Sequence, residues 1–294
     1  MGSFSPSQGP VVQPLTASQR EALVTLLADD DPGIYHTIRQ KIMAEGVQSK
    51  DWLKQYSLHS DPVIRRRTKE IVQHFDKQAA DNRFLAFCLS HGEHFSVEQA
   101  CWLLAQTEYP DINIAGYQAV LDDMAGDLML RIDFGAEPMA ILGEINKFLF
   151  KHMGFKGNDK DYYDPKNSYL NQVLNNRLGN PISMCLIYLF IARRLRLPVA
   201  GIGMPGHFVC RFQSSVEEIF IDAYNGGRFW TKAECVKHLV MSGHSYQERL
   251  LDPVSARRIL IRICSNLHQI YVNLEKQEDS SRFQRYIVAL TRTL

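Results

Sequence analysis

The sequence has almost no net charge, no long apolar run and no cysteine pair in redox or metal spacing. Its 33 Lys and Arg are balanced by 32 Asp and Glu, a formal charge of +1. No basic stripe interleaved with aromatics occurs, so neither nucleic acid nor an anionic membrane is expected as a partner. No apolar run reaches the roughly 18 residues of a membrane span. The longest, 182–192, is interrupted by Ser183. Residues 1–16 are rich in Ser, Gly, Pro and Gln and lack the basic start and apolar stretch of a signal peptide. They read as a short disordered tail. Six cysteines stand at 88, 101, 185, 210, 235 and 264, none as C-x-x-C and four within apolar stretches. That usage predicts buried, reduced thiols and a cytoplasmic protein rather than a disulfide framework.

What is present is a chain of 294 residues, 45% hydrophobic, long enough for one sizeable core plus helical additions. Asp31-Pro32 and Asp61-Pro62 lie 30 residues apart. Each opens a helical pattern, over 34–44 and 63–75, with an acidic N-cap and Pro at the first helical position. The pair resembles HEAT-type repeats, and two such units must lean on other structure. Helical periods follow over 82–90, 97–106, 112–125 and 139–151. A polar Gly- and Asn-rich segment spans 154–168, and a helix is predicted over 169–177. Gly179-Asn180-Pro181 then starts a long apolar helix over 182–195. After Pro198 the period becomes two, predicting strands at 199–202, 207–212 and 217–222. Amphipathic helices return at 256–274 and 281–294.

The strands 207–212 and 217–222 are close enough to pair antiparallel. Facing Phe212 with Glu217 gathers Phe208, Cys210, Phe212, Ile219 and Ile221 on one apolar face. On the other, Arg211 meets Glu218 and His207 meets Asp222. A one-residue slip would put Asp222 among the apolar groups. Direct cross-strand neighbours stand about 4.5–5.5 Å apart at Cβ. A carboxylate there can fix the imidazole tautomer and leave the second ring nitrogen as a base. The same pair could instead simply pin a hairpin. A nucleophile would have to come from the start of the Pro181 helix, where free amides and the positive dipole end favour a thiolate or an oxyanion. Ser183 and Cys185 are the candidates. They lie about 200° apart on the helix, so both cannot face His207. Ser183 also reads as a cap, and Cys185 as core.

Other clusters carry less. His91-Gly92-Glu93-His94 lacks zinc-site spacing and a third ligand. Asp159, Asp161 and Asp164 lie in a tyrosine-rich loop that reads as substrate-side rather than as a calcium loop. Arg65-Arg66-Arg67 reads as a solvated helix face or a contact for an acidic partner, and Trp102 and Tyr117 as core. No metal and no cofactor are expected.

From about Glu98 to Leu239 the chain resembles the SirB-type transglutaminase-like family of bacteria. The resemblance rests on Tyr109-Pro110-Asp111, Gly154-Phe155-Lys156-Gly157-Asn158, Asp161-Tyr162-Tyr163-Asp164-Pro165, Ser168-Tyr169-Leu170-Asn171, Gly179-Asn180-Pro181-Ile182-Ser183, Pro205-Gly206-His207-Phe208 and Ile221-Asp222-Ala223-Tyr224-Asn225-Gly226-Gly227. It implies an α+β, papain-like core, a helix packed on an antiparallel sheet, with His207 and Asp222 matching that fold's His and Asp. The helix-start cysteine of transglutaminase-like enzymes falls near 181–183 and is missing here. The C-terminal helices are similar to that family's TPR-like tail. The expected organisation is a tail over 1–16, a HEAT-like segment over 17–80, a transglutaminase-like domain over 81–245 and TPR-like helices over 246–294. Two functions follow from the resemblance. One is a non-catalytic module binding a protein or peptide. The other is an acyl-transfer or amide-hydrolysing enzyme with His207 as base, Asp222 orienting it, and Ser183 or Cys185 as nucleophile.

Overall fold

The computed structural model describes residues 15–90, 92, 93, 95–214 and 217–292. Most of the expected tail, His91 and His94, the hairpin tip at Ser215 and Val216, and the last two residues of the final expected helix lie outside these. The chain divides into two compact units, Met1–Ala80 and Asp81–Leu294.

The first unit holds α1 (Ala17–Leu26), α2 (Pro32–Ala44), α3 (Gln48–Leu53), a 3-10 turn at Lys54–Leu58 and the start of α4 (Pro62–Ser90). Thr16, assigned to the tail by its composition, instead caps α1 in a reciprocal capping box with Gln19. Asp31 accepts from the Gly33 amide at 2.7 Å, and Asp61 from the Val63 and Ile64 amides at 2.7 and 3.1 Å. The two Asp-Pro pairs therefore start helices as their chemistry requires. Leu23, Leu27, Ile42, Leu53, Ile71 and Phe75 are among the core residues of this unit. The basic run on α4 is not simply a solvated face. Arg67 donates to the carbonyls of Leu27 and Asp29 beyond the end of α1 and stacks over Tyr35, while Arg65 donates to the His59 carbonyl. These carbonyls have no helical donor, which is what the guanidinium groups supply. The pattern 63–75 and the pattern 82–90 are one continuous helix, because no Pro or Gly separates them.

The second unit carries α5 (Val97–Glu108), α6 (Ile114–Met129) and α7 (Pro138–Asn146), the last running into a π-turn at Lys147–His152. Next come β1 (Lys156–Gly157), a 3-10 turn at Pro165–Ser168, α8 (Leu170–Asn176), β2 (Leu178–Gly179) and α9 (Pro181–Arg194). Then follow β3 (Val199–Ile202), β4 (Val209–Gln213), β5 (Glu218–Asp222), β6 (Arg228–Trp230), α10 (Lys232–Met241), α11 (Ala256–Asn273) and α12 (Gln277–Arg292). The protein is helix-rich with a small antiparallel sheet in the order β3-β4-β5-β6, plus a short parallel pair of β1 and β2.

Alternation divides the sheet's side chains. Phe208, Cys210, Phe212, Ile219 and Ile221 join the main core with the buried face of α9, whose Cys185, Ile187 and Ile191 are 0–1% exposed. Val209 and Phe220 face the other way and pack with Cys235 and Leu239 of α10. α11 and α12 pack antiparallel along each other through Tyr271–Phe283 and His268–Ser280, and both contribute to the main core. Trp102 is buried and stacks on Tyr117, as its helical position predicts.

The hairpin register differs from the expected one. Gln213 faces Glu218, Phe212 faces Ile219, Arg211 faces Phe220 and Cys210 faces Ile221. The ladder is therefore displaced by two residues. A shift of two leaves every side chain on its own face, so face chemistry alone could not choose between the two alignments. Ser214 closes the turn instead, its hydroxyl accepting from the Glu217 amide at 2.9 Å.

Candidate functional site

The site grows from the ends of α9 and the sheet. Pro205-Gly206 turns the chain into β4, with Gly206 at φ +74°. The turn delivers His207, whose amide donates to the Met204 carbonyl. Asp222 ends β5 and is wholly buried. Its Oδ1 lies 3.0 Å from His207 Nε2, an ion-pair distance reached diagonally across the hairpin. Asp222 also accepts from the Asn225 amide at 3.2 Å and from the Asn225 side chain at 2.7 Å. Burial pushes its carboxyl pKa up, but the bonds from His207 and Asn225 outweigh burial and hold it below the ordinary value. Asp222 thus stands against Nε2 at ion-pair distance and leaves Nδ1 as the other ring nitrogen. The Trp230 and His238 rings lie tilted beside the His207 ring at 5.8 and 5.3 Å, and Tyr224 meets it edge-on at 6.3 Å. Burial, then the neighbouring His207, lowers the His238 pKa.

The motif asparagines and serines build the other wall. Asn180 caps α9, taking the Ser183 amide on its side-chain oxygen at 3.0 Å and giving its own amide to Ser183 Oγ at 2.9 Å. Ser183 Oγ in turn donates to the Asn167 carbonyl at 2.6 Å. Asn167 ties down the tyrosine loop through the carbonyls of Asp161 and Tyr162 and accepts from Asn158. Asn180 Nδ2 donates to Ser168 Oγ. Parallel pairing of β1 with β2 sets Asn158 beside Gly179, completing a buried polar network. The Asp159 carboxylate accepts from the Tyr224 hydroxyl, and Asp164 caps the 3-10 turn at Lys166. Among the described residues no group of three or more His, Cys, Asp or Glu could hold a metal.

Tyr162, Tyr163, Asn180, Pro181, Ile182 and His207 line a cleft of about 300 Å³ together with Gly206 and residues of α11. Of the four side chains singled out in the sequence, His207 and Asp222 are in contact, and His207 borders the cleft. Ser183 stands in the first turn of α9 with its hydroxyl bonded to Asn167 and Asn180. Cys185 is fully buried, its thiol donating to the Phe208 carbonyl at 3.3 Å, and burial pushes its pKa well above the usual thiol range. No Ser, Thr or Cys is among the described residues lining the cleft. The contribution of α11 escaped the sequence reading. Its signal was the polar stripe Arg262, Asn266 and Gln269 on an otherwise amphipathic helix, at helical spacing. Trp230 lies on a three-residue strand, too short to show a period, and His238 on α10, which the sequence reading did not single out.

A helix packed on an antiparallel meander, with a His–Asp contact beside the helix start, defines a class. Residues 115–265 match the model of the transglutaminase-like superfamily, and the chain belongs to that superfamily. A UPF0162 protein of Xylella fastidiosa is 34% identical over 194 residues, covering 64% of this chain and 69% of that protein. A UPF0162 protein of Pseudomonas aeruginosa is 28% identical over 189 residues, 63% of this chain and 67% of that one. F-box only protein 21 of Mus musculus is 37% identical over 135 residues, 43% of this chain but only 21% of its own length. No solved structure matches the chain significantly.

Proposed function

We propose that the chain is a SirB-type member of the superfamily in which the cleft binds a protein or peptide segment without turning it over. One observation carries the reading: among the described residues that line the cleft beside His207 there is no Ser, Thr or Cys to act as nucleophile. A nucleophile must lie within hydrogen-bond reach of its base. Ser183 is bonded as a cap, and Cys185 is protonated in the core at neutral pH by virtue of its raised pKa. What remains is a shaped recess with a polarised imidazole, two tyrosines and amide groups, features suited to peptide recognition. On this reading the N-terminal unit is a HEAT-like segment and the α11–α12 hairpin a TPR-like pair, in a cytoplasmic protein with a transglutaminase-like domain. No helix among the described residues is long and apolar enough to cross a membrane.

The second reading keeps the His207–Asp222 contact as a catalytic half-site for acyl transfer or amide hydrolysis, with Ser183 or Cys185 as nucleophile. It is favoured by the 3.0 Å separation. An acylating active-site probe applied to wild type and His207→Ala separates the two. Binding without turnover predicts no labelling that depends on His207. Labelling of Ser183 or Cys185 that disappears in His207→Ala supports the enzyme.

A further inference from the structure

Arg262 is a charged group at the cleft with no counter-charge. Its Nη2 donates to the His207 carbonyl at 2.7 Å, and its guanidinium lies over the Phe208 ring at 5.6 Å. Gly203 leaves room for it, since a Cβ there would stand 3.2 Å from Nη1. Burial lowers the Arg262 pKa, and no carboxylate contributes to its surroundings. Among the described residues none of the ion pairs involves Arg262, and no Asp or Glu lines the cleft. A guanidinium presents five donors in a fork suited to a carboxylate, and among the described residues only one of them has a protein acceptor. Asn266 and Gln269 continue the same stripe of α11 into the cleft, and the positive end of the α9 dipole faces it from the opposite wall. Tyr162 and Tyr163 flank the entrance, 38% and 63% exposed. A partly buried charge without a partner is costly unless something supplies one.

We propose that the ligand is an acidic peptide segment, with a Glu or Asp carboxylate seated on Arg262 and the neighbouring residue against Tyr162 and Tyr163. This rests on the peptide-binding reading above and names the chemistry of its ligand. The orientation is set by the His207 carbonyl, which holds one edge of the guanidinium and leaves the other edge to the carboxylate. Binding therefore weakens with added salt, as expected for a charge-assisted contact that is only partly buried.

The test uses the full chain and fluorescein-labelled short peptides of Gly, Ser and Tyr with one central Glu. A matched set carries Gln in place of Glu, and fluorescence anisotropy gives the affinities. The Glu peptide should bind on the order of tenfold to a hundredfold tighter than its Gln counterpart. Arg262→Gln should erase that preference. Because Arg262 also supports the His207 turn, Asn266→Asp provides a second variant. It sets a carboxylate one helical turn from Arg262, leaves the bond to His207 intact, and should also abolish the preference with an unchanged thermal unfolding curve. Equal binding of Glu and Gln peptides to wild type would overturn the acidic-ligand proposal while leaving peptide binding intact. Binding of neither would overturn both.

Discussion

Ser183 and Asp222 show how two polar side chains at one site serve different ends. Ser183 is 3% exposed and satisfies two buried backbone groups, the Asn180 amide and the Asn167 carbonyl. Ser183→Ala leaves these two groups only their own bond to each other, at 3.3 Å, and is expected to cost about 0.5–1.5 kcal/mol in chemical denaturation, without altering affinity at the cleft by more than a few-fold. Asp222 governs a pH effect. Its folded carboxyl pKa is below the ordinary value, so the stability it contributes is complete above about pH 4 and is lost as pH falls through the folded value. His238, also lowered, acts in the same sense from about pH 6.5 downward, because the fold favours its neutral form. Urea midpoints measured across that range should fall in acid. Asp222→Asn should flatten the part below about pH 4, and His238→Gln the part near pH 6. The His–Asp contact was legible because strand alternation assigns faces whatever the register. That it is diagonal was not legible, since a two-residue shift is silent to alternation.

At the scale of elements, the turns decide what the strands and helices present. Gly227 follows β5 at φ +76°, and a Cβ there would stand 2.5 Å from Asn146, whose side chain donates to the Gly227 carbonyl. Both the backbone region and the space exclude a side chain. Gly227→Ala should lower stability by about 1–3 kcal/mol or more and, by displacing the Asn225 turn, loosen Asp222. A thermal melt measures the first effect, and the histidine ring resonances in NMR the second. The long helices were visible in the sequence because their period runs over several turns and their caps are explicit: Asp31, Asp61, Ser96 and Ser255 each accept a first-turn amide. β6, with three residues, and α10, whose only signal is the Thr231–Glu234 capping box, were missed. Short elements draw their stability from packing rather than from pattern.

Over the whole molecule, the cysteines report the state of the fold. All six are buried and unpaired in the structure. Burial pushes Cys88, Cys101 and Cys235 up to about 12 and raises Cys185 and Cys264 well above the usual thiol range. A thiol reagent added to the native protein at neutral pH should modify none of them, and all six after denaturation. A single fast-reacting thiol in the native state would mean an exposed, activated cysteine that this packing does not contain.

Binding and turnover part company most directly in the fate of the bound peptide. The measurement is mass spectrometry of peptide and protein after prolonged incubation together at equal concentrations. A cleft with a polarised His207 but no nucleophile in its lining returns both masses unchanged, even where anisotropy shows the peptide bound. A cleaved, deamidated or protein-linked peptide that forms with wild type and not with His207→Ala would contradict it.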